Sequence, residues 1–394
     1  MNILIIGQLP KEAGGDFTTG VGKVIYELMQ YDEDICIHIY AMNAKHSNAI
    51  VNNHGSVFYY GYTNVMHLII RDFLLHPIRT CAEWKHFLKK NHRNPIKDHF
   101  HKCIIERLIK ETNPNLIHVH SVKMLASTHF ANHYNIPIVQ TFHGVFYKGD
   151  PKDIKGHDLY FGNVPFINYA TVLTEEMKME AISVGVDRNL IEIIPNGVNT
   201  RKFFYSSEQR KNIRLQYNTP DNCPVFLTVG SVQYRKGQLE FLNILYSLHI
   251  DFRYWIIGTG PDEEKVMQYA RKMNIEDKIK MIGYVDNDEL FKYYSAADIY
   301  AHASHAEGQA LSEIEAYTTG LRTIVNKEIA GTINSGINNN SKYFILDFSY
   351  LDLPKLKEWI KTENENRLSD SSYDWQVILH KYISFYKKIL LNTK

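Results

Sequence analysis

Two glutamates eight residues apart, Glu307 and Glu315, lie in the stretch Ala306-Glu307-Gly308-Gln309-Ala310-Leu311-Ser312-Glu313-Ile314-Glu315-Ala316. The stretch follows the apolar run Asp298–Ala301 and reads as a helix that starts near Gly308 and ends at Gly320, where glycine often closes helices. On such a helix the two carboxylates lie ~12 Å apart along the axis, and Glu313 turns away from Glu315. Free N–H groups at a helix mouth attract phosphate. The pair is therefore spaced to hold polyol hydroxyls on either side of a diphosphate. Spacing alone fits an exposed helix with surface glutamates at least as well. A second set is Gly20-Val21-Gly22, after the first apolar run, where backbone can approach a phosphate or sugar. A dinucleotide fingerprint is not matched, because Ile25 stands at its third glycine, and Phe17 and Val24 break a Walker A pattern. His143 follows the run Ile136–Phe142, and open α/β sheets bind ligands beyond the carboxyl ends of strands. His118 and His120 end another such run. Asp32-Glu33-Asp34 and Asp286-Asn287-Asp288 offer carboxylate pairs of the kind that bind Mg²⁺ or Mn²⁺. They read instead as a polar turn and a helix-capping segment, so no metal site is expected.

The elements that must position these residues alternate regularly. Strand candidates are Asn2–Gly7, Ile35–Ala41, Ser56–Tyr60, Leu116–His120, Ile136–Phe142, Ala170–Leu173 and Ile191–Ile194. They resume with Val225–Gly230, Arg253–Gly258, Ile279–Gly283, Asp298–Ala301, Arg322–Val325 and Tyr343–Leu346. Helical patterns lie between them, including Gly22–Tyr31, Gln238–Leu248, Asp262–Met273 and Glu289–Ala296. Such alternation predicts parallel sheets with right-handed crossovers. These strands are too many for one compact sheet, so two doubly wound domains are expected. The boundaries are 1–197 and 198–374, with the turn signal Asn196-Gly197 at the junction and a closing helix over 375–394 that returns to the first domain. Gly258 and Gly260 read as a strand–helix turn.

The chain has 394 residues, 44% apolar and 22% charged, with a formal charge of +1. That is an ordinary globular composition with no basic excess for nucleic acid. Cys36, Cys81, Cys103 and Cys223 form no CxxC pair and no zinc-finger spacing with histidine, and read as reduced, buried thiols. The opening Met-Asn-Ile-Leu-Ile-Ile-Gly has no basic region or cleavage site, so no signal peptide is expected, and no apolar run spans a membrane. One segment differs in composition. Between 64 and 110 stand ten Lys/Arg, four Asp/Glu and six His, interleaved with Val65, Leu68, Ile69, Phe73, Leu74, Trp84, Phe87 and Leu88. A basic amphipathic stretch can lie on an anionic membrane. The alternative is a solvated helix pair whose apolar stripe faces the core.

Read together, the motifs resemble those of the retaining glycosyltransferases of the GT4 family, which have the GT-B fold. Glu307 and Glu315 match that family's pair of glutamates separated by seven residues. Thr19-Gly20-Val21-Gly22 resembles its glycine loop, Thr141-Phe142-His143-Gly144 the segment with its site histidine, and Ile194-Pro195-Asn196-Gly197-Val198 its pre-linker motif. Val229-Gly230-Ser231 through Arg235-Lys236-Gly237 resembles its phosphate motif, and Gly258-Thr259-Gly260-Pro261 and Trp375 also fit. The chain departs from the pattern in Gln309-Ala310, where the family has Phe-Gly, and in Ser231, where it has Arg. Losing that Arg removes a bidentate phosphate fork, for which Arg235 is the substitute at hand.

The resemblance implies an α/β fold of two Rossmann-like parallel-sheet domains facing an interdomain cleft: an acceptor-side domain and a nucleotide-sugar domain. It implies transfer of a hexosyl or N-acetylhexosaminyl group from a nucleotide-diphosphate sugar, a UDP-sugar favoured, to an acceptor hydroxyl with retained configuration. Glu307 would face the donor sugar, Glu315 the ribose hydroxyls, and Lys236 with Arg235 the leaving diphosphate. His143 would orient the sugar. Gly20, Val21, Gly22, Ser231, Val285, Gly308, Gln309, Ala310 and Leu311 complete the expected donor site. No cofactor and no metal are expected. The acceptor would be a glycan, a lipid-linked precursor or a protein, in cell-envelope or other surface-glycan synthesis. The expected location is the cytoplasm, on the inner face of the membrane if 64–110 docks there. Two other readings stand beside this one. One is a catalytically silent GT-B partner that supports an active transferase, suggested by Ser231 and Gln309-Ala310. The other is a sugar-nucleotide epimerase.

Overall fold

The computed structural model describes residues 1–16, 19–30, 35–44, 48–52, 55–61, 66–91, 95–144, 164–332, 342–362, 367 and 371–392. The chain divides into two compact units, Met1–Pro195 with Ile378–Lys394, and Asn196–Val377. In the first unit an eight-stranded sheet runs in the order β3-β4-β2-β1-β5-β6-β7-β8. Its strands are β1 (Asn2–Gly7), β2 (Cys36–Ala41), β3 (Asn48–Asn52), β4 (Gly55–Tyr60), β5 (Leu116–Val119), β6 (Ile138–Phe142), β7 (Tyr169–Val172) and β8 (Ile191–Ile193). All pair in parallel except β3 with β4. The antiparallel β3 is the strand that sequence reading omits, because Asn-Ala-Ile-Val-Asn offers too short an apolar run. Around this sheet lie helices α1 (Gly20–Leu28), α2 (Met66–Leu75), α3 (Pro77–Asn91), α4 (Pro95–Thr112) and α5 (Val122–Thr128).

The second unit holds a parallel six-stranded sheet, β11-β10-β9-β12-β13-β14. These are β9 (Val225–Val229), β10 (Arg253–Ile257), β11 (Ile279–Gly283), β12 (Ile299–His302), β13 (Arg322–Asn326) and β14 (Tyr343–Leu346). Side chains alternate across a strand, so each strand feeds two cores. Phe226, Tyr254 and Ile256 pack on one face. Val225, Leu227, Trp255 and Ile257 pack on the other. Covering both faces is what makes the strands read as continuous apolar runs.

The thiols differ from expectation: Cys103 and Cys223 are buried, but Cys81 is exposed and Cys36 half-buried. Asp32-Glu33-Asp34 lies outside the described residues, whereas Asp288 pairs with Lys202. No helix among the described residues is long and apolar enough to cross a membrane.

Candidate functional site

Within the second unit the sheet order brings the loops after β9, β10 and β12 side by side. The loop after β9 passes through a short 3-10 turn, Tyr234–Lys236, and reverses at Gly237 with φ +68. A Cβ at Gly237 would lie 2.1 Å from the Ala303 carbonyl, so only glycine lets this loop touch the one after β12. The contact is fixed by the His305 N–H, which donates to the Arg235 carbonyl at 2.8 Å. Gly258, at φ +122, is pressed against the Gly230 carbonyl in the same way. The turn Gly258–Gly260 therefore braces the loop after β9.

This packing assembles the predicted cations around the first glutamate. Lys236 Nζ donates to Glu307 Oε1 at 2.5 Å, and Arg235 lies 3.3 Å from the same oxygen. Arg235 also donates to the Ala306 carbonyl at 2.5 Å. Burial pushes the Glu307 carboxyl up, but Lys236, His302 and Arg235 outweigh it and hold the group below its ordinary value. Glu307 is thus an ionised carboxylate between two cations. Ser231 is exposed, and its hydroxyl accepts from Gln233 Nε2 at 2.8 Å. Val285 packs on the core beside β11.

The helix after Glu307 is shorter than predicted. It spans Leu311–Thr318, so Gly308, Gln309 and Ala310 form the approach rather than its first turn. Ala310 is extended, with φ −74 and ψ 124, which needs no glycine. Gln309 is drawn out of helical geometry by Asn196: the Asn196 N–H donates to Gln309 Oε1 at 2.7 Å, and Asn196 Nδ2 donates to the Gln309 carbonyl at 3.0 Å. The family's pre-linker asparagine is here bonded to the residue that departs from the pattern. Glu315 therefore sits one turn into the helix, not two. It is buried, and Oε2 accepts from Tyr294 at 2.8 Å. Glu313 is buried too, bonded to His302 Nδ1 at 2.5 Å. Sequence reading missed His302 and Tyr294; the one available signal was that His302 ends a strand beside the glutamate motif.

The remaining predicted residues stand in the first unit. Gly20, Val21 and Gly22 open α1, where Thr19 caps the helix by accepting from the Gly22 N–H at 3.0 Å. Gly7 makes room for Ile25, since a Cβ there would lie 2.3 Å from its Cδ1. The strand end thus supplies the small residue that the helix lacks. His143 follows β6, and its Nε2 lies 2.8 Å from His120 Nδ1, the rings stacked at 5.0 Å. His118 is bonded to Tyr386 and Thr141, both at 2.6 Å. Burial lowers His143 to about 4 and His118 to about 3, so both rings are neutral near pH 7.

Two family models match the chain, "Glycosyltransferase Family 4" over residues 77–202 and "Glycosyl transferases group 1" over 209–368. Among curated relatives, an Acholeplasma laidlawii α-monoglucosyldiacylglycerol synthase is 31% identical over 34% of this chain and 35% of its own length. An Escherichia coli UDP-Gal:α-D-GlcNAc-diphosphoundecaprenol α-1,3-galactosyltransferase is 24% identical over 65% of this chain and 68% of its own. The chain spans 35%, 52% and 56% of the lengths of the first three relatives it matches. Anabaena HepE in complex with UDP superposes with a TM-score of 0.71, covering 98% of this chain and 100% of that one at 14% identity. Sucrose-phosphate synthase from Thermosynechococcus elongatus does so with the same score of 0.71, covering 99% of each chain at 15% identity. With its two Rossmann-like units and both family models matched in order, the chain belongs to the GT4-type glycosyltransferases of the GT-B fold.

Proposed function

We propose that the protein transfers a hexosyl or N-acetylhexosaminyl group from a UDP-sugar to an acceptor hydroxyl, with the anomeric configuration retained. The observation that carries this reading is the Lys236–Glu307–Arg235 cluster beside the helix at Leu311. Without donor, Glu307 neutralises the two cations. With donor bound, the diphosphate takes over Lys236 and Arg235, and the Glu307 carboxylate turns to the sugar hydroxyls. The first N–H groups of a helix have no intrahelical acceptor and add donors as charge grows on the leaving diphosphate. The C1–O bond to the diphosphate breaks, and the acceptor oxygen bonds to C1 on the same face. Its proton passes to the departing diphosphate oxygen. Side-chain cations supply the charge that a bound divalent ion supplies elsewhere, so turnover needs none.

The acceptor is proposed to be lipid-linked, with the protein resting on an anionic membrane. Support comes from α2 and α3, where Ile70, Leu74, Leu75 and Ile78 are exposed beside the cation Arg71, with Lys85 and Lys97 also at the surface. Of the stripe named from the sequence, Phe73 and Leu74 are exposed, whereas Trp84 is half-buried. Fewer cations are free than composition suggests, because Lys102 is buried against Glu83 and Glu106, and Arg79 pairs with Asp72. Val65 and the side chains of Leu68, Ile69, Phe87 and Leu88 lie outside what is described. Two of the relatives carry lipids in their names, monoglucosyldiacylglycerol and GlcNAc-diphosphoundecaprenol.

The test is nucleotide release from a panel of UDP-sugars, with the product's anomeric coupling read by NMR. Transfer should occur with one donor class and be abolished in Glu307→Ala. Binding of no donor by saturation-transfer NMR, or near wild-type turnover by Glu307→Ala, would overturn the assignment. Sedimentation with phosphatidylglycerol vesicles at low salt tests the membrane separately; a protein left in the supernatant favours a soluble acceptor.

A further inference from the structure

Helices α2, α3 and α4 enclose a second set of ionisable side chains that the transfer reaction does not use. His99 and Cys103 stand one turn apart on α4, both buried, and Asp72 faces them from α2. His99 Nε2 lies 3.3 Å from Asp72 Oδ2 and 3.6 Å from Cys103 Sγ. One ligand atom from each of the three side chains falls within 4.8 Å of the others. Across the ring, His99 Nδ1 lies 3.4 Å from Glu83 Oε2 on α3. The other oxygens are already engaged: Glu83 Oε1 lies 3.1 Å from Lys102 Nζ, and Asp72 Oδ1 accepts from Arg79 at 2.7 Å. Asp72 Oδ2, Glu83 Oε2 and His99 Nδ1 are each buried without a hydrogen bond of good geometry.

Buried polar atoms left in this state are costly. One remedy is a direct contact of the His99 ring with Asp72 and Glu83 alone. That leaves the Cys103 sulfur a bystander, and the contacts are longer than the ~2.8 Å of charge-assisted hydrogen bonds. The other remedy uses every group. Glu83 Oε2 accepts a hydrogen bond from the His99 Nδ1–H, which keeps the proton on Nδ1 and leaves the Nε2 lone pair facing Asp72 Oδ2 and Cys103 Sγ. A carboxylate behind the imidazole is the arrangement that orients histidines on metals. A nitrogen, a sulfur and one carboxylate oxygen suit Zn²⁺, whereas Mg²⁺ and Ca²⁺ take oxygen ligands.

We propose that Asp72, His99 and Cys103 form a zinc site that pins α2 to α4, with Glu83 orienting His99 and water completing the coordination. Binding releases the Cys103 thiol proton to solvent, and no electron is transferred. The role is structural and separate from donor chemistry. It fixes the helical layer that carries the exposed apolar side chains of α2 and α3.

The test uses the full chain produced without a histidine tag. Metal analysis after dialysis against metal-free buffer should find about one zinc per chain. Cobalt added to the metal-free protein should give the visible bands of a four-coordinate ion and a near-ultraviolet thiolate-to-metal band. Cys103→Ser should lose that band, and His99→Gln should lose stoichiometric metal. Should either variant not fold, the wild-type cobalt spectrum decides. Wild-type protein that takes up neither ion at equimolar concentration, or a Cys103→Ser spectrum identical to wild type, would overturn the site.

Discussion

Arg235 and Lys236 are adjacent, yet they approach Glu307 differently. Lys236 is mostly buried and lies 2.5 Å from the carboxylate, while Arg235 is 44% exposed and lies 3.3 Å from it. The expectation from sequence was that Arg235 replaces the missing guanidinium at Ser231. Glu240, five residues further along the chain, lies close to His305 instead, at 3.7 Å. Removing a guanidinium from a diphosphate clamp costs a charge-assisted fork. Arg235→Ala is expected to lower kcat/KM roughly 100-fold, about 3 kcal/mol of transition-state stabilisation. Arg235→Lys should recover part of it, because a point charge remains. Steady-state kinetics on the identified donor decide the matter, and unchanged kcat/KM in Arg235→Ala would leave Lys236 and the helix N-terminus as the whole clamp.

At the scale of elements, the proposed donor site depends on how closely three loops approach at the carboxyl edge of the second sheet. Gly237 is one of the tight points, with positive φ and a carbonyl 2.1 Å from where a Cβ would stand. Gly144, in the first unit, has nothing within 4 Å of that position. Gly237→Ala must therefore strain the turn or push the Ala303 loop away, at about 2 kcal/mol or more. Gly144→Ala should leave stability unchanged within about 0.5 kcal/mol. Urea denaturation of the two variants beside wild type makes the comparison. Equal midpoints for all three would mean that the loops accommodate a methyl group at Gly237 and are not braced there.

For the whole molecule, acid should act first on the unit that carries the histidine cluster. His118 is lowered to about 3 and His143 to about 4 by burial, and His120 is lowered as well. A histidine depressed on folding contributes stability that is complete above its ordinary value of 6.5 and is lost as the pH falls through its folded value. The window for His143 thus runs from 6.5 down to about 4, and His118 extends it to about 3. Within it each such group adds at most about 1.4 kcal/mol of destabilisation per pH unit. Hydrogen exchange, corrected for its intrinsic pH dependence, should show β5 and β6 opening more readily at pH 5 than at pH 7.5. The difference should shrink in His143→Gln. Protection independent of pH in wild type would contradict the neutral cluster.

The alternation of strands was legible without coordinates because the central strands are covered on two faces, which turns each of them into a run such as Asn2–Gly7 or Val225–Val229. The strand β3 escaped because its pairing partner, not its own five residues, makes it a strand. The chemistry-bearing residue types were also legible, because loops after parallel strands carry fixed motifs such as Arg235-Lys236-Gly237 and Glu307-Gly308. What the sequence could not decide was which side chains meet. The start of the helix at Leu311 was set by Gln309 reaching Asn196, 113 residues away. Glu313 and Glu315 were both drawn inward by His302 and Tyr294, partners from other elements. The meeting of Asp72, His99 and Cys103 rests on packing between α2 and α4. Periodicity and motif are properties of neighbours along the chain, whereas hydrogen-bond partners, burial and ligand geometry are set by segments far apart in it, and these only tertiary packing brings together.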